Sequence, residues 1–283
     1  MLRTYYSLTK PGIIFGNVLS AGAGFLLASK FHIDVRLFAA TIGGMALVIA
    51  SACVYNNYID QGIDKKMART KKRALVSGEI SARSALTYAT VLCALGFATL
   101  LYTNTLVVVI GVVAFIDYVV LYGIAKRRSV HGTIVGSVSG AAPVIAGYVA
   151  VTNRFDWGAL LLFFILTFWQ MPHFYAIAMY RFKDYEAAGL PVLPVKKGTR
   201  VTKVQILLYV LGFIAANILL VERGYVGYSY LVIMVLLGLW WLWRGMQGFR
   251  TQDNTAWGRG MFRFSLVVML GLCAMLSVGS ILP

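Results

Sequence analysis

The sequence predicts an all-α integral membrane protein of nine transmembrane helices, and three observations lead there. Of its 283 residues, 59% are hydrophobic and only 13% are charged, with a mean hydropathy of +0.76. Soluble domains carry about a quarter charged residues, so this chain has too little water-facing surface for a soluble enzyme. Its apolar stretches repeatedly reach the ~18 residues of a membrane span. Its basic residues cluster in alternate connections between those stretches. The same composition excludes a disordered or nucleic-acid-binding protein despite a formal net charge of +16, and no nucleic-acid partner is expected.

The spans are read at 11–28, 37–58, 84–102, 105–125, 132–151, 157–180, 204–221, 226–243 and 262–282. At about 1.5 Å per residue each crosses a ~30 Å hydrocarbon core as a helix. Lipid leaves no alternative, since unpaired backbone groups cannot face hydrocarbon. The first span opens at Lys10-Pro11 without a signal-peptide cleavage site or a preceding Arg/Ser-rich transit extension. It is read as a retained span of a multi-pass protein, expected in a bacterial inner membrane with the bilayer as its solvent. The second span ends in a run of amide and acidic residues. Thr103-Asn104 makes a simple turn between the third and fourth. The fifth is rich in Gly and Ser (Gly132, Gly136, Ser137, Ser139, Gly140) and is read as a close-packing face. Pro172 is expected to kink the sixth. Residues 1–283 show no linker and are read as one domain. Cys53, Cys93 and Cys273 lie in apolar stretches without CxxC spacing and read as core residues.

Nine spans place the termini on opposite sides. With the N-terminus in the cytoplasm and the C-terminus in the periplasm, 22 of the 26 lysines and arginines fall on the inner side and 4 on the outer, as retention of basic loops demands. The inner connections also carry acids, so the chemistry is expected at the cytoplasmic face.

The first polar cluster is Asn56-Asn57-Tyr58-Ile59-Asp60-Gln61-Gly62-Ile63-Asp64. Residues four apart share a helix face, so Asn56, Asp60 and Asp64 form one stripe, with Asn57 beside it. Two carboxylates on one face repel unless something positive sits between them, and Mg²⁺ favours a few carboxylates completed by phosphate oxygens and water. Acids near membrane depth are costly and mark function. Arg69 and Arg73 follow, among Lys65, Lys66, Lys71 and Lys72, as candidates to grip a multiply charged anion such as diphosphate. A second cluster runs from Trp169-Gln170-Met171-Pro172-His173 through Arg181-Phe182-Lys183-Asp184-Tyr185-Glu186. There Asp184 is a candidate second metal ligand, Arg181 a phosphate ligand, and His173 a residue aimed into the bundle. A third, Tyr122-x-x-x-Lys126-Arg127-Arg128, puts a hydroxyl and an ammonium on one face. Ordinary interface anchoring explains the lysines of the first loop and the last cluster equally well.

These residues resemble a known family. Asn56-Asn57-x-x-Asp60-x-x-x-Asp64 resembles the first aspartate-rich motif of the UbiA superfamily of intramembrane prenyltransferases. The further stretches Thr9-Lys10-Pro11-Gly12, Met67-x-Arg69-Thr70-x-x-Arg73, Trp169-x-x-Pro172-His173-Phe174, Arg181-x-x-Asp184-Tyr185 and Gly189-x-Pro191-x-Leu193-Pro194-Val195 resemble its heme-farnesylating branch. The likeness runs to about Gly198 and weakens afterwards. It implies nine helices around a central cavity and transfer of a farnesyl group from farnesyl diphosphate to a vinyl group of heme b, with Mg²⁺ as cofactor and heme as substrate. Carried over by motif, Asp60, Asp64, Asp184 and Asn56 hold metal, with Tyr122 and Lys126 matching the family's YxxxK element. Asn56, Asn57, Arg69, Arg73, Lys126, Arg127 and Arg181 face diphosphate. His173, and after it His131, are the candidates to lie next to heme. A downstream heme-modifying enzyme or terminal oxidase assembly is the expected partner. The chain departs from the family at Asn57, at Ala74, and at Ala188, where the second motif's later acid would stand. A prenyltransferase acting on an aromatic quinone precursor, a transporter of an anionic lipid precursor and a cofactor-free scaffold subunit are the alternatives.

Overall fold

The computed structural model describes residues 2–283, and every regular element among them is helical. Among the described residues, nine helices are long and apolar enough to cross a membrane: Pro11–Ser29, Val35–Ile59, Ala82–Leu100, Thr105–Arg128, Gly132–Thr152, Trp157–Tyr180, Leu193–Glu222, Tyr228–Gln247 and Asn254–Val278. They are called the first to ninth spans below. The spans differ in how much they bury. The fifth and sixth are the most enclosed, whereas the third, fourth and eighth turn most of their surface outward. The main core gathers around the buried faces of the fifth, sixth, seventh and ninth, with Phe25, Ile165, Phe213, Tyr230 and Trp241 fully enclosed.

Local sequence explains the ends. Asp34, Asn104, Asp156 and Asp253 each cap the start of a span by accepting from backbone N–H groups one turn in. The seventh and ninth spans begin earlier than the apolar pattern indicates. The seventh starts at Leu193 behind the rigid Pro191-x-x-Pro194 segment and is broken only at Gly198, whose φ of 84° suits glycine. The ninth gains two turns bearing Arg259, because Asp253 satisfies the free N–H groups of Thr255 and Ala256. The sixth span runs as one continuous helix through Pro172, as the fifth does through Pro143.

Small residues set the spacing around the fifth span. A side chain at Gly147 would collide with the carbonyl of Ala21 on the first span, and one at Gly132 or Gly136 with Lys126 or Tyr122 on the fourth. The backbones therefore touch, and the fourth span's polar end is pressed against the fifth. Within the fourth span, Asp117–Leu121 form a π-helical turn. One end of the bundle also carries a cap. The short helix Leu2–Leu8 lies across the second span, since the Leu8 carbonyl accepts from Asn57 Nδ2 at 2.8 Å. The loop after the second span meets the loop after the sixth through Met67, Ala188 and Leu190. This capped end is the one bearing the basic loops.

Candidate active site

The acidic stripe forms as its spacing demands. The Asp60 N–H donates to the Asn56 carbonyl and the Asp64 N–H to the Asp60 carbonyl, each at 2.9 Å, so the helical path continues through the junction at Asp60. Asn56, Asn57, Asp60 and Asp64 are all buried. Burying a carboxylate requires a partner, and both have one from elsewhere in the chain. Asp60 is paired with Lys126 through Oδ2 and with Arg127 through Oδ1, the latter at 3.0 Å. Arg73 Nη1 contacts Asp64 Oδ2 at 2.7 Å and donates to Asn57 Oδ1 at 3.2 Å. The Lys126 ammonium sits over the face of the Tyr122 ring, 4.8 Å from its centroid. The pair predicted to share a face thus does so through the ring rather than the hydroxyl.

Lys10 completes the cluster, and spacing alone did not single it out as a site residue. It occupies the turn before the first span with φ 54° and ψ 67°, a left-handed conformation that is strained for lysine. Its ammonium donates to Asn56 Oδ1 at 2.8 Å, while Asn56 Nδ2 is buried without a partner. Burial pulls Lys10 down to about 8. The Cys53 and Asp60 charges push it back up, and Arg73 and Lys126 push it further down. Lys10, Arg73, Lys126 and Arg127 therefore stand around two carboxylates, an excess of positive charge. The available signal was the stretch Thr9-Lys10-Pro11-Gly12, which resembles the heme-farnesylating branch without assigning Lys10 a role.

The second cluster lies across the cap. Arg181 Nη1 is 3.7 Å from Asp184 Oδ2 on the short helix Phe182–Ala187. Tyr185 stands between the two clusters. Burial raises its hydroxyl, Arg69 and Arg181 partly oppose that shift, and Tyr180 and Asp184 add to it. Arg69 itself is exposed and makes no ion pair among the described residues. The three acids do not meet. Among the described residues no group of three or more His, Cys, Asp or Glu surrounds one point that could hold a metal. Asp184 is held by Arg181 on its own turn. Glu186 is exposed.

The chemistry of the donors can still be stated. Two buried carboxylates one helical turn apart and Asn56 Oδ1, which accepts from Lys10, form a hard oxygen set. Such a set fits Mg²⁺, which is held by one or two carboxylates plus substrate phosphates rather than by an all-protein cage. The surrounding cations fit the phosphates.

The UbiA prenyltransferase family model matches residues 17–267. The chain belongs to the UbiA prenyltransferase family. A protoheme IX farnesyltransferase of Sodalis glossinidius (strain morsitans) is 51% identical over 286 residues, covering 100% of this chain and 96% of its own length. The structure of a digeranylgeranylglyceryl phosphate synthase superposes with a TM-score of 0.82 at 20% identity, over 99% of this chain and 98% of that one. A UbiA homologue from Archaeoglobus fulgidus, solved bound to GPP and Mg²⁺, gives 0.75 at 17% identity over 97% and 100%. The chain is thus an enzyme and a multi-pass membrane protein.

Within this UbiA frame the departure at Ala188 has a physical cause. Ala188 is buried against Met67 and Leu190, so an acid there would be desolvated and would wedge the cap apart. His173 is buried at the other side of the sixth span, stacked on Trp169 at 4.7 Å between centroids. Its Nδ1 lies 2.7 Å from Ser265 Oγ, which donates its only hydrogen to the Phe262 carbonyl. Ser265 must therefore accept, Nδ1 carries the proton, and Nε2 keeps its lone pair. His131 is exposed at the start of the fifth span, where its N–H bonds Ser129 Oγ. The fold does not bring it to His173.

Proposed function

We propose that this UbiA enzyme transfers the farnesyl group of farnesyl diphosphate to a vinyl group of heme b, with addition of water, giving heme O and diphosphate. The observation that carries the reading is full-length identity of 51% to a protoheme IX farnesyltransferase, joined to an acid–cation cluster that suits a metal–diphosphate pair. We place the N-terminus and this cluster on the cytoplasmic side of a bacterial inner membrane, where the basic loops belong. Products pass to a heme-modifying enzyme or an oxidase assembly.

The residues divide the task. Asp60, Asp64 and Asn56 would hold Mg²⁺, which when bound draws negative charge from the leaving diphosphate. Without ligand the two carboxylates are neutralised by Lys126, Arg127 and Arg73. On binding, those cations exchange their carboxylate partners for phosphate oxygens, and Lys10 joins them from beside Asn56. Fixed cations aimed at oxygens on which charge grows lower the barrier to breaking the allylic C–O bond. The bond's electron pair leaves with diphosphate, and the vinyl π electrons form the new C–C bond. The porphyrin-side cation takes a water oxygen and loses a proton. Tyr122 and Tyr185 wall the reacting carbons from water, Asn57 orients Arg73, and Asp184 orients Arg181 toward the substrate with Arg69 beside it. His173 offers its Nε2 lone pair to the heme iron.

Purified protein in lipid nanodiscs with heme b, farnesyl diphosphate and Mg²⁺ tests this by mass spectrometry. A product heavier by one farnesyl and one hydroxyl group is expected and is lost in Asp64→Ala. Unchanged heme, together with prenylation of an aromatic acid supplied in a parallel reaction, would assign the enzyme to quinone-precursor chemistry instead. Unchanged substrates with folded protein would overturn the reading altogether.

A further inference from the structure

A groove of about 340 Å³ opens on the outer surface of the bundle between the end of the second span and the fourth. Ile59, Val120 and Ile124 form its walls. Gly123 leaves its floor open, since a side chain there would meet nothing within 4 Å. Val120 and Ile124 are each 47% exposed, although they belong to a helix that spans the membrane. The groove therefore faces lipid. Its end at the capped side of the bundle is closed by Arg127 and Arg128.

The two arginines are only partly used. Arg127 Nη2 donates to the Ile59 carbonyl at 2.7 Å and to Asp60 Oδ1 at 3.0 Å. Its other N–H groups have no acceptor among the described residues, and its side chain is 40% exposed against 11% for Asp60. Arg128 is exposed and pairs with no acid among the described residues. An apolar trough headed by unspent guanidinium groups complements one kind of molecule, an amphiphile with an anionic head.

We infer that this groove binds an anionic phospholipid, with an acyl chain along Val120, Gly123 and Ile124 and the phosphate on Arg127 and Arg128. Basic pockets at the interface recognise such headgroups by charge-assisted hydrogen bonds. The site is separate from the acid–cation cluster but shares Arg127 with it. A phosphate on the outer side of that guanidinium competes with Asp60 on the inner side, so lipid occupancy loosens one of the two cations on this carboxylate. The prenyl diphosphate is the competing occupant, because it too has an apolar chain and a phosphate head.

Native mass spectrometry of the protein released from nanodiscs of equal phosphatidylglycerol and phosphatidylcholine tests the inference. The wild-type protein should retain phosphatidylglycerol about tenfold over phosphatidylcholine, in keeping with two interfacial arginines. Gly123→Leu fills the floor without touching a charge, and Arg128→Gln removes one head contact. The first should bring the ratio close to one, and the second, with one of two arginines left, to about threefold. Circular dichroism and size exclusion of both variants confirm that the fold is kept, and added farnesyl diphosphate should leave the retained lipid in place. Equal retention of both lipids by the wild type, or full preference in both folded variants, would overturn the site. Displacement of the lipid by farnesyl diphosphate would assign the groove to the substrate and overturn it equally.

Discussion

Replacing Lys10 with methionine keeps the length of the side chain and removes a charge that burial has already pulled from 10.5 to about 8. One pH unit corresponds to about 1.4 kcal/mol, so keeping this ammonium charged inside the fold costs at most about 3 kcal/mol. Water reaching the half-buried chain reduces that figure. Folding lowers the value, so the penalty is present in full below pH 8, where the group is charged in both states. It fades as the pH rises from 8 toward 10.5, where the folded protein is neutral and the unfolded chain still charged. The variant also leaves Asn56 Oδ1 without its donor, which costs about 1 kcal/mol. At pH 7 the ligand-free variant is therefore expected to be about 1–2 kcal/mol more stable than the wild type. The wild type should close that gap between pH 8 and 10. Activity moves the other way, since loss of one fixed donor to a developing oxyanion lowers kcat by about 10²–10³. Denaturation in micelles across pH 7–10, with turnover measured at saturating substrate, reads both. Parallel pH slopes for the two proteins, or a kcat within about threefold of the wild type, would refute the reasoning.

Three further outcomes follow from the same geometry. Ala188→Asp restores an acid to the second motif but buries it against Met67 and Leu190; it should lower the melting temperature and leave Mg²⁺ activation no tighter, and tighter activation would contradict the account of the cap. Gly136→Ala places a Cβ 2.7 Å from Tyr122 Cδ2, pushing the ring and the Lys126 ammonium out of place. A fall in kcat of about tenfold or more with retained fold is expected, and unchanged kcat would mean that ring position is immaterial. Ser265→Ala removes the acceptor that fixes the His173 tautomer; heme affinity followed by Soret absorbance should weaken about 10–100-fold, and His173→Ala should abolish the ligated spectrum. Identical spectra in both variants would remove His173 from the heme site.

What the sequence revealed and what it hid follows from the range of each interaction. The Asn56–Asp60–Asp64 stripe was readable because helical neighbours lie a fixed number of residues apart, and the same holds for Tyr122 with Lys126. The apolar runs gave the number of spans, since length and hydropathy are local. The starts of the seventh and ninth spans were hidden by polar first turns that sit at the membrane surface and are held by Pro194 and Asp253. The pairing of the acids was hidden for a different reason. Lys126 reaches Asp60 across 66 residues and Lys10 reaches Asn56 across 46, and no spacing rule encodes such a meeting. Read separately, Lys126 was equally an interface anchor, and Lys10 was one residue of a matching stretch with no role attached.

The placement of those cations bears on why the acids survive at membrane depth. A carboxylate pair built to hold a divalent cation by itself would be left with few positive neighbours, because each one competes with the metal. Here four cations stand around two carboxylates, and each carboxylate is already paired by at least one of them. Such a hollow repels a lone divalent ion and equally holds no empty acid that must be desolvated uncompensated. It becomes favourable for metal only when an anion of several charges arrives to engage the lysines and arginines. The folded state is thereby protected from unpaired buried charge, and in the proposed reaction the metal and the diphosphate are selected together.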